Sequence, residues 1–305
     1  MSDSVLQPEV DKSLSFAVLS SGSKANCSVV CSGSDRVLID CGLSCRRTEE
    51  RLRQSGIAPE TISAVVITHE HSDHVGGLRV FARKYAVPVH IVSGVERTGN
   101  FAVFSSELKI RHFRAGESFS VGQLEFQSYS IHHDALDPVA FRINAHGRSI
   151  AFITDLGQVT ELIRYAIRDV DALVLEFNHD RGKLMSCSYP WEIKQRIAGR
   201  MGHLSNDDAA ELMVQSALDS TRVPQVVVAA HISENSNCPE IVLGTMQAAW
   251  KRSGIEHTPR FFAGSVAEPL PLISLDRIVN RVLPIEYGED SPLDDEKIAK
   301  FGGMK

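Results

Sequence analysis

The chain is expected to fold as an α/β protein in four layers, two β-rich layers inside and helices outside (αββα). Three observations point there. Short apolar, β-branched runs at 62–67, 172–175 and 226–230 read as buried strands and alternate with segments of helical period. These strands fall into two successive β-rich stretches, each flanked by helical patterns. Several of them stop directly before a His or an Asp, the place where a rigid scaffold presents polar side chains at a surface cleft. With 305 residues, 43% of them hydrophobic, the chain can build one large core.

Taken in order, residues 1–13 read as a flexible N-terminus, and 14–19 as the first strand. The loop 20–26 is small and polar. It offers backbone N–H groups and the side chains of Ser21, Ser23 and Asn26 to an anion, and it equally suits a hairpin turn. Residues 27–31 and 37–40 continue as strands and close a meander. Asp40 at its end either accepts a hydrogen bond from a metal-bound His or serves the turn. Residues 46–54 read as a helix, with Leu52 inward and Arg46, Arg47, Arg51 and Arg53 on a solvated face.

The next strand, 62–67, runs into Thr68, His69, Glu70, His71, Ser72, Asp73 and His74, after which Gly76 and Gly77 open a helix with Leu78, Phe81, Ala82 and Tyr85 on one side. In an extended loop His69 and His71 point the same way and can chelate one ion. Asp73 and His74 can turn toward a second. Imidazoles and a hard carboxylate suit zinc, manganese or iron(II).

Beyond this cluster, 87–92 reads as a strand in which His90 is structural, 95–104 as a helix, and 108–113, 118–121 and 124–131 as strands. His132 or His133 then supplies a third nitrogen to the first ion. Residues 141–144 and 149–153 are strands, and Asp155 at the end of the second can bridge two ions. A helix at 158–167 and the strand 172–176 follow. His203 lies just before a helix over 207–218. Ser205 or Asn206 suits that helix's N-cap, and a helix N-terminus also attracts phosphate. The strand 226–230 runs straight into His231, which can complete the second ion's set.

His69, His71, Asp73 and His74 match the His-x-His-x-Asp-His signature of the metallo-β-lactamase fold superfamily. That superfamily contains lactamases, thioesterases, lactonases, phosphodiesterases and nucleases, so the signature speaks for the fold more than for the substrate. Further phrases resemble the YycJ-type (also WalJ) exonucleases of bacteria over residues 15–265. They include the loop from Ser20 to Cys27, His133 to Val139, Thr154 to Gly157, Leu175 to Asp180, Tyr189-Pro190-Trp191, Gly202 to Asn206 and Ala230 to Ser233. The family has Gly where Ala25 stands and Ser where His132 stands.

The resemblance implies a metallo-β-lactamase-fold domain over 14–265 and a 5′-to-3′ exonuclease acting on DNA with two divalent ions, zinc or manganese, with iron admitted. It assigns His69, His71 and His133 to one ion, Asp73, His74 and His231 to the other, and Asp155 to both. His133 is preferred to His132 because the family motif reads His-Asp-Ala-x-Asp-Pro. It puts His203 at the scissile phosphate or leaving oxygen, as a similar motif stands in tRNase Z-like enzymes. The mechanism expected from this set is in-line attack by a metal-activated hydroxide. Asp73 would orient the water and His203 protonate the leaving 3′-oxygen, while Ser21, Ser23, Asn26, Ser205 and Asn206 position phosphates. The rivals are a thioesterase or lactonase on the same dinuclear centre, which would need an acyl pocket, an RNA-directed nuclease, and a non-enzymatic relative that binds nucleic acid or a partner.

Composition sets further bounds. No run of about 18 apolar residues suggests a membrane span. The polar N-terminus does not read as a signal peptide, and six scattered Cys without a Cys-x-x-Cys pair fit reduced thiols in the cytoplasm. The formal charge of −6 argues against nucleic acid at first. Six acids crowd into 286–296, however, and without them acids and bases balance, which leaves room for a local basic groove. Residues 266–305 are expected to form a C-terminal extension, helical or strand-like at 272–282 and solvated at 286–296. The sequence leaves open a homo-oligomer.

Overall fold

In the computed structural model, which describes residues 13–98 and 101–275, the apolar runs pair into two seven-stranded sheets. The first begins as an antiparallel meander of β1 (Leu14–Ser20), β2 (Cys27–Ser32) and β3 (Asp35–Ile39). It then turns parallel through β4 (Ala64–Val66), β5 (Pro88–Val92) and β6 (Lys109–Phe113). The crossovers carry α1 (Cys45–Gln54), α2 (Ser72–Val75), α3 (Leu78–Tyr85) and α4 (Phe101–Phe104). The second sheet repeats the scheme. β7 (Ser118–Val121), β8 (Leu124–Ser130), β9 (Val139–Ala145) and β10 (Arg148–Ile153) are antiparallel, and β11 (Ala172–Glu176), β12 (Val226–Ala230) and β13 (Arg260–Ala263) follow parallel to β10. Its helices are α5 (Glu161–Ala166), α6 (Arg181–Ser186), α7 (Trp191–Ile197), α8 (Asn206–Leu218) and α9 (Pro239–Ser253). β14 (Ile273–Ser274) returns to the first sheet and pairs antiparallel with β1, so that sheet draws on residues past 265.

Strand parity explains the layers. Ile150, Phe152, Val174, Val226 and Val228 enter the core between the sheets, where Phe16 meets Phe152 edge-on at 6.2 Å and Phe119 stacks on Phe126 at 5.1 Å. Their neighbours Ala151, Ile153, Leu173, Leu175 and Val227 point the other way, onto Ile163, Leu212, Met213, Met246 and Trp250 of α5, α8 and α9. A strand covered on both faces needs an unbroken apolar run, which is how these segments read in the sequence.

Two local expectations are corrected. The helix expected at 95–104 is a 3₁₀ turn over Val95–Arg97 and the short α4, because Thr98 is extended (φ −106°, ψ 151°) and ends the turn. Arg51 is buried, not solvated: its guanidinium donates to the carbonyls of Val266 and Ala267, tying α1 to the chain beyond β13. His90 stacks on Phe119 at 5.1 Å, as befits a structural residue. All six cysteines are free and four are buried, with burial pushing the Cys41 thiol up to about 12. Among the described residues no helix is long and apolar enough to cross a membrane. The expectations for 1–12, for 276–282 and for the acidic run 286–296 lie outside the described residues.

Candidate metal centre

The ligand-type residues gather where strands end. Asp40 follows β3, His69 to His74 follow β4, His133 follows β8, Asp155 follows β10, Glu176 closes β11 and His231 follows β12. In α/β sheets the carboxyl ends of parallel strands are where sites form. Asp40, Asp155 and His231 each adopt left-handed backbone (φ 60°, 59° and 53°), which is uncommon for residues other than Gly and gathers where side chains must be aimed. The cluster's loop rests on the loop between β1 and β2 and on the turn after β3: the Asn26 N–H donates to Asp73 O and the Cys41 N–H to His74 O, both at 2.7 Å. Gly42 permits this seating, since a Cβ there would lie 1.7 Å from Asp73 O.

Within this frame the donor atoms form overlapping sets whose members lie within 4.8 Å of one another. His69, His71 and His133 make one set, Asp73, His74 and His231 another, and Asp155 joins His69 and His74 between them. Three buried atoms in these sets, His69 Nε2, His231 Nε2 and Asp155 Oδ2, lack a hydrogen-bond partner. Buried polar atoms are rarely left so. Nitrogen and oxygen donors stripped of water and aimed at one another fit two divalent cations.

The opposite nitrogen of each imidazole is held from behind. His69 Nδ1 lies 3.0 Å from Thr68 Oγ1, His74 Nδ1 2.8 Å from Asp40 Oδ2, and His133 Nδ1 3.2 Å from Gly202 O. His71 Nε2 lies 3.2 Å from Asp134 O. His231 Nδ1 and His203 Nδ1 share Glu176 Oε1 at 2.8 and 2.9 Å. Such contacts fix the tautomer and leave the inner nitrogen as the donor. Asp40 thus takes the hydrogen-bonding role that its position suggested, toward His74.

Electrostatics separate the two sets. Burial pushes His69 and His133 below the ordinary imidazole range. Burial opposes charge on His74 and His231 too, but carboxylates win. Asp155, Asp40 and Asp73 raise His74 well above its usual value, and Asp155, Asp73 and Glu176 raise His231 to about 10. Glu176 falls to about 2 against its burial, drawn down by His203 and His231.

All seven residues expected as ligands meet here. Of the two candidates, His133 lies inside the cluster and His132 is exposed. His203 stands at the rim, its ring about 5 Å from those of His133 and His231 and its side chain 18% exposed. The residues expected at phosphates separate. Ser21 is buried and accepts from the His231 N–H at 2.7 Å, and Asn26 Nδ2 donates to Asp73 Oδ2 at 3.0 Å, so both support the cluster itself. Ser23 is exposed. Ser205 caps α8 through the Asp208 N–H and Asn206 pairs with Asn237, both buried. Sequence reasoning assigned no role to Glu176, whose second oxygen accepts from the N–H groups of Leu156 and Leu204 at 2.9 and 3.0 Å. The available signal was a lone acid closing an otherwise apolar strand.

Comparison with known proteins bears on this centre. The profile of the β-lactamase superfamily domain matches residues 35–232. Exodeoxyribonuclease YycJ of Bacillus anthracis is 32% identical over 79% of this chain and 90% of its own. Exodeoxyribonuclease WalJ of Streptococcus pneumoniae strain D39 is 32% identical over 76% of this chain and 86% of its own. The metallo-β-lactamase fold protein YhfI of Bacillus subtilis superposes with a TM-score of 0.62 at 14% identity, covering 85% of this chain and 99% of that one, a likeness of fold.

Proposed function

The chain belongs to the β-lactamase superfamily and, within it, to the family of the YycJ and WalJ exodeoxyribonucleases, and we propose that it is a metal-dependent phosphodiesterase that removes nucleotides from the 5′ end of DNA. The observation that carries this reading is a pair of donor sets with Asp155 grouped with His69 of one and His74 of the other, and His203 beside them at the rim, backed by Glu176. His69, His71 and His133 would hold one ion, Asp73, His74 and His231 the other, and Asp155 would touch both. Zinc or manganese, with iron also suited to these donors, supplies Lewis acidity and lowers the pKa of water toward neutrality.

The chain's own groups do the rest. Asn26 holds Asp73 by its Oδ2, which keeps that carboxylate turned toward the place where the nucleophile must stand. Glu176 takes the Nδ1 side of His203, so Nε2 is the atom left to pass a proton to the leaving 3′-oxygen. Ser23, exposed in the loop after β1, is the serine placed to meet a backbone phosphate.

The test is manganese-dependent digestion of 5′-phosphorylated, end-labelled DNA by wild type, His203→Ala and Asp73→Ala. Wild type should release mononucleotides from the 5′ end. His203→Ala should lose about 10²- to 10⁴-fold in rate, the usual share of general acid catalysis, and Asp73→Ala should be inactive but folded. No cleavage of DNA or RNA with metal stoichiometrically bound would overturn the proposal in favour of a small-ester hydrolase.

A further inference from the structure

Between Glu176 and His203 the chain leaves the sheet and forms α6 and α7. None of the seven residues of α7 is buried. Short helices are marginal in water without a packed face, yet this one displays Trp191 at 58% exposure and Ile193 at 36%, with Met185 and Met201 beside it at 48% and 49%. Polar ties hold it instead. Arg196 Nε pairs with Asp134 Oδ2 at 2.5 Å, Asn235 Nδ2 donates to Tyr189 Oη at 2.5 Å, and the His203 N–H donates to Ile197 O at 2.9 Å. Asp134 follows His133 and Asn235 lies four residues past His231. The segment is therefore fastened to the loops of both donor sets, beside His203 at the rim.

Its charge runs against that of the chain. Residues 181–201 carry five Lys or Arg and the single acid Glu192, in a protein of formal charge −6. Arg181 pairs with Asp208 and Arg196 with Asp134, and Lys183, Lys194 and Arg200 form no ion pair among the described residues. Four large apolar side chains are left exposed along this one stretch of chain, and exposed apolar surface is where partners bind. An aromatic ring among cations is the combination that binds single strands, since every base offers a π face and every linkage a negative charge.

We propose that Trp191 is a stacking platform for an unpaired base of a single-stranded nucleic acid, with Lys183, Lys194 and Arg200 of the same segment drawing the backbone alongside. This extends the phosphodiesterase reading above and rests on it for the identity of the ligand. It gives the substrate a second point of attachment outside the metal centre.

Trp191 and Trp250 are the only two tryptophans, and Trp250 is 2% exposed in the core, so quenching on binding reports Trp191 alone. The experiment titrates cleavage-resistant, phosphorothioate-linked oligo(dT) into the full-length protein and follows tryptophan fluorescence and anisotropy. Oligo(U) of the same length separates DNA from RNA as the source of the strand. Wild type should be quenched. Trp191→Ala should bind about 10- to 100-fold more weakly, and Trp191→Phe should restore most of the affinity without quenching. Tighter binding of oligo(dT) supports a DNA strand on the platform; tighter binding of oligo(U) overturns that choice.

Wild-type affinity in Trp191→Ala, or no binding by wild type, overturns the platform. So does concentration-dependent self-association in sedimentation that Trp191→Ala abolishes, which would assign the face to a second copy of the chain. Quenching here, with no digestion of ordinary DNA in the manganese assay above, would sink the exonuclease reading and leave the platform standing. Digestion in that assay with unaltered oligo(dT) affinity in Trp191→Ala would do the reverse.

Discussion

Glu176 lies between His203 and His231 and serves both, while two backbone N–H groups fill its second oxygen. A glutamine there keeps the size but must turn an N–H₂ toward either the rings or the backbone donors. Glu176→Gln is therefore expected to weaken metal binding about 10- to 100-fold, the usual loss when a carboxylate behind a ligating His is removed, measured by competition with a chromogenic chelator. The density of His69, His71, Asp73 and His74 made the candidate metal loop legible from sequence, since the structure brings these four side chains into groups that could hold a metal ion. Glu176 was not legible, since one acid closing an apolar strand looks like any strand end. Ser21 and Asn26 were legible as polar loop residues but not as supports of His231 and Asp73, a distinction that only three-dimensional contact supplies.

Elements were readable where burial was two-sided. The continuous apolar runs of β10, β11 and β12 follow from cores on both faces, and their reading survives intact. α6 and α7 left no such trace, because Met185, Trp191 and Ile193 face solvent and no apolar stripe marks them. The turn after β3 is under tight constraint. Gly42→Ala would drive a methyl group into the Asp73 carbonyl, so the loop carrying Asp73 and His74 must shift. We expect a loss of about 2–4 kcal/mol in unfolding free energy, read by urea denaturation, together with weakened metal uptake.

At the scale of the whole molecule, acid should loosen the outer layer as well as the metal centre. Glu49 on α1 accepts from Lys84 on α3 at 2.7 Å and from Cys45 at 3.1 Å, and these two contacts lower it from 4.5 to about 2. A carboxylate depressed by folding contributes stability that is full above its unfolded value and is lost as pH falls toward its folded one. Stability should decline between about pH 4.5 and 2, less steeply in Glu49→Gln, as urea midpoints at each pH would show. The order of the donor sets along the chain has a consequence in time. Each set takes two side chains from the first sheet's loops and one from the second's, His133 for one and His231 for the other. With Asp155 touching both ions, a chain emerging from the ribosome would have the first ion's ligands complete once residue 155 is out and the second's only at residue 231, so on the reading proposed above capture of the two ions would be staggered during synthesis.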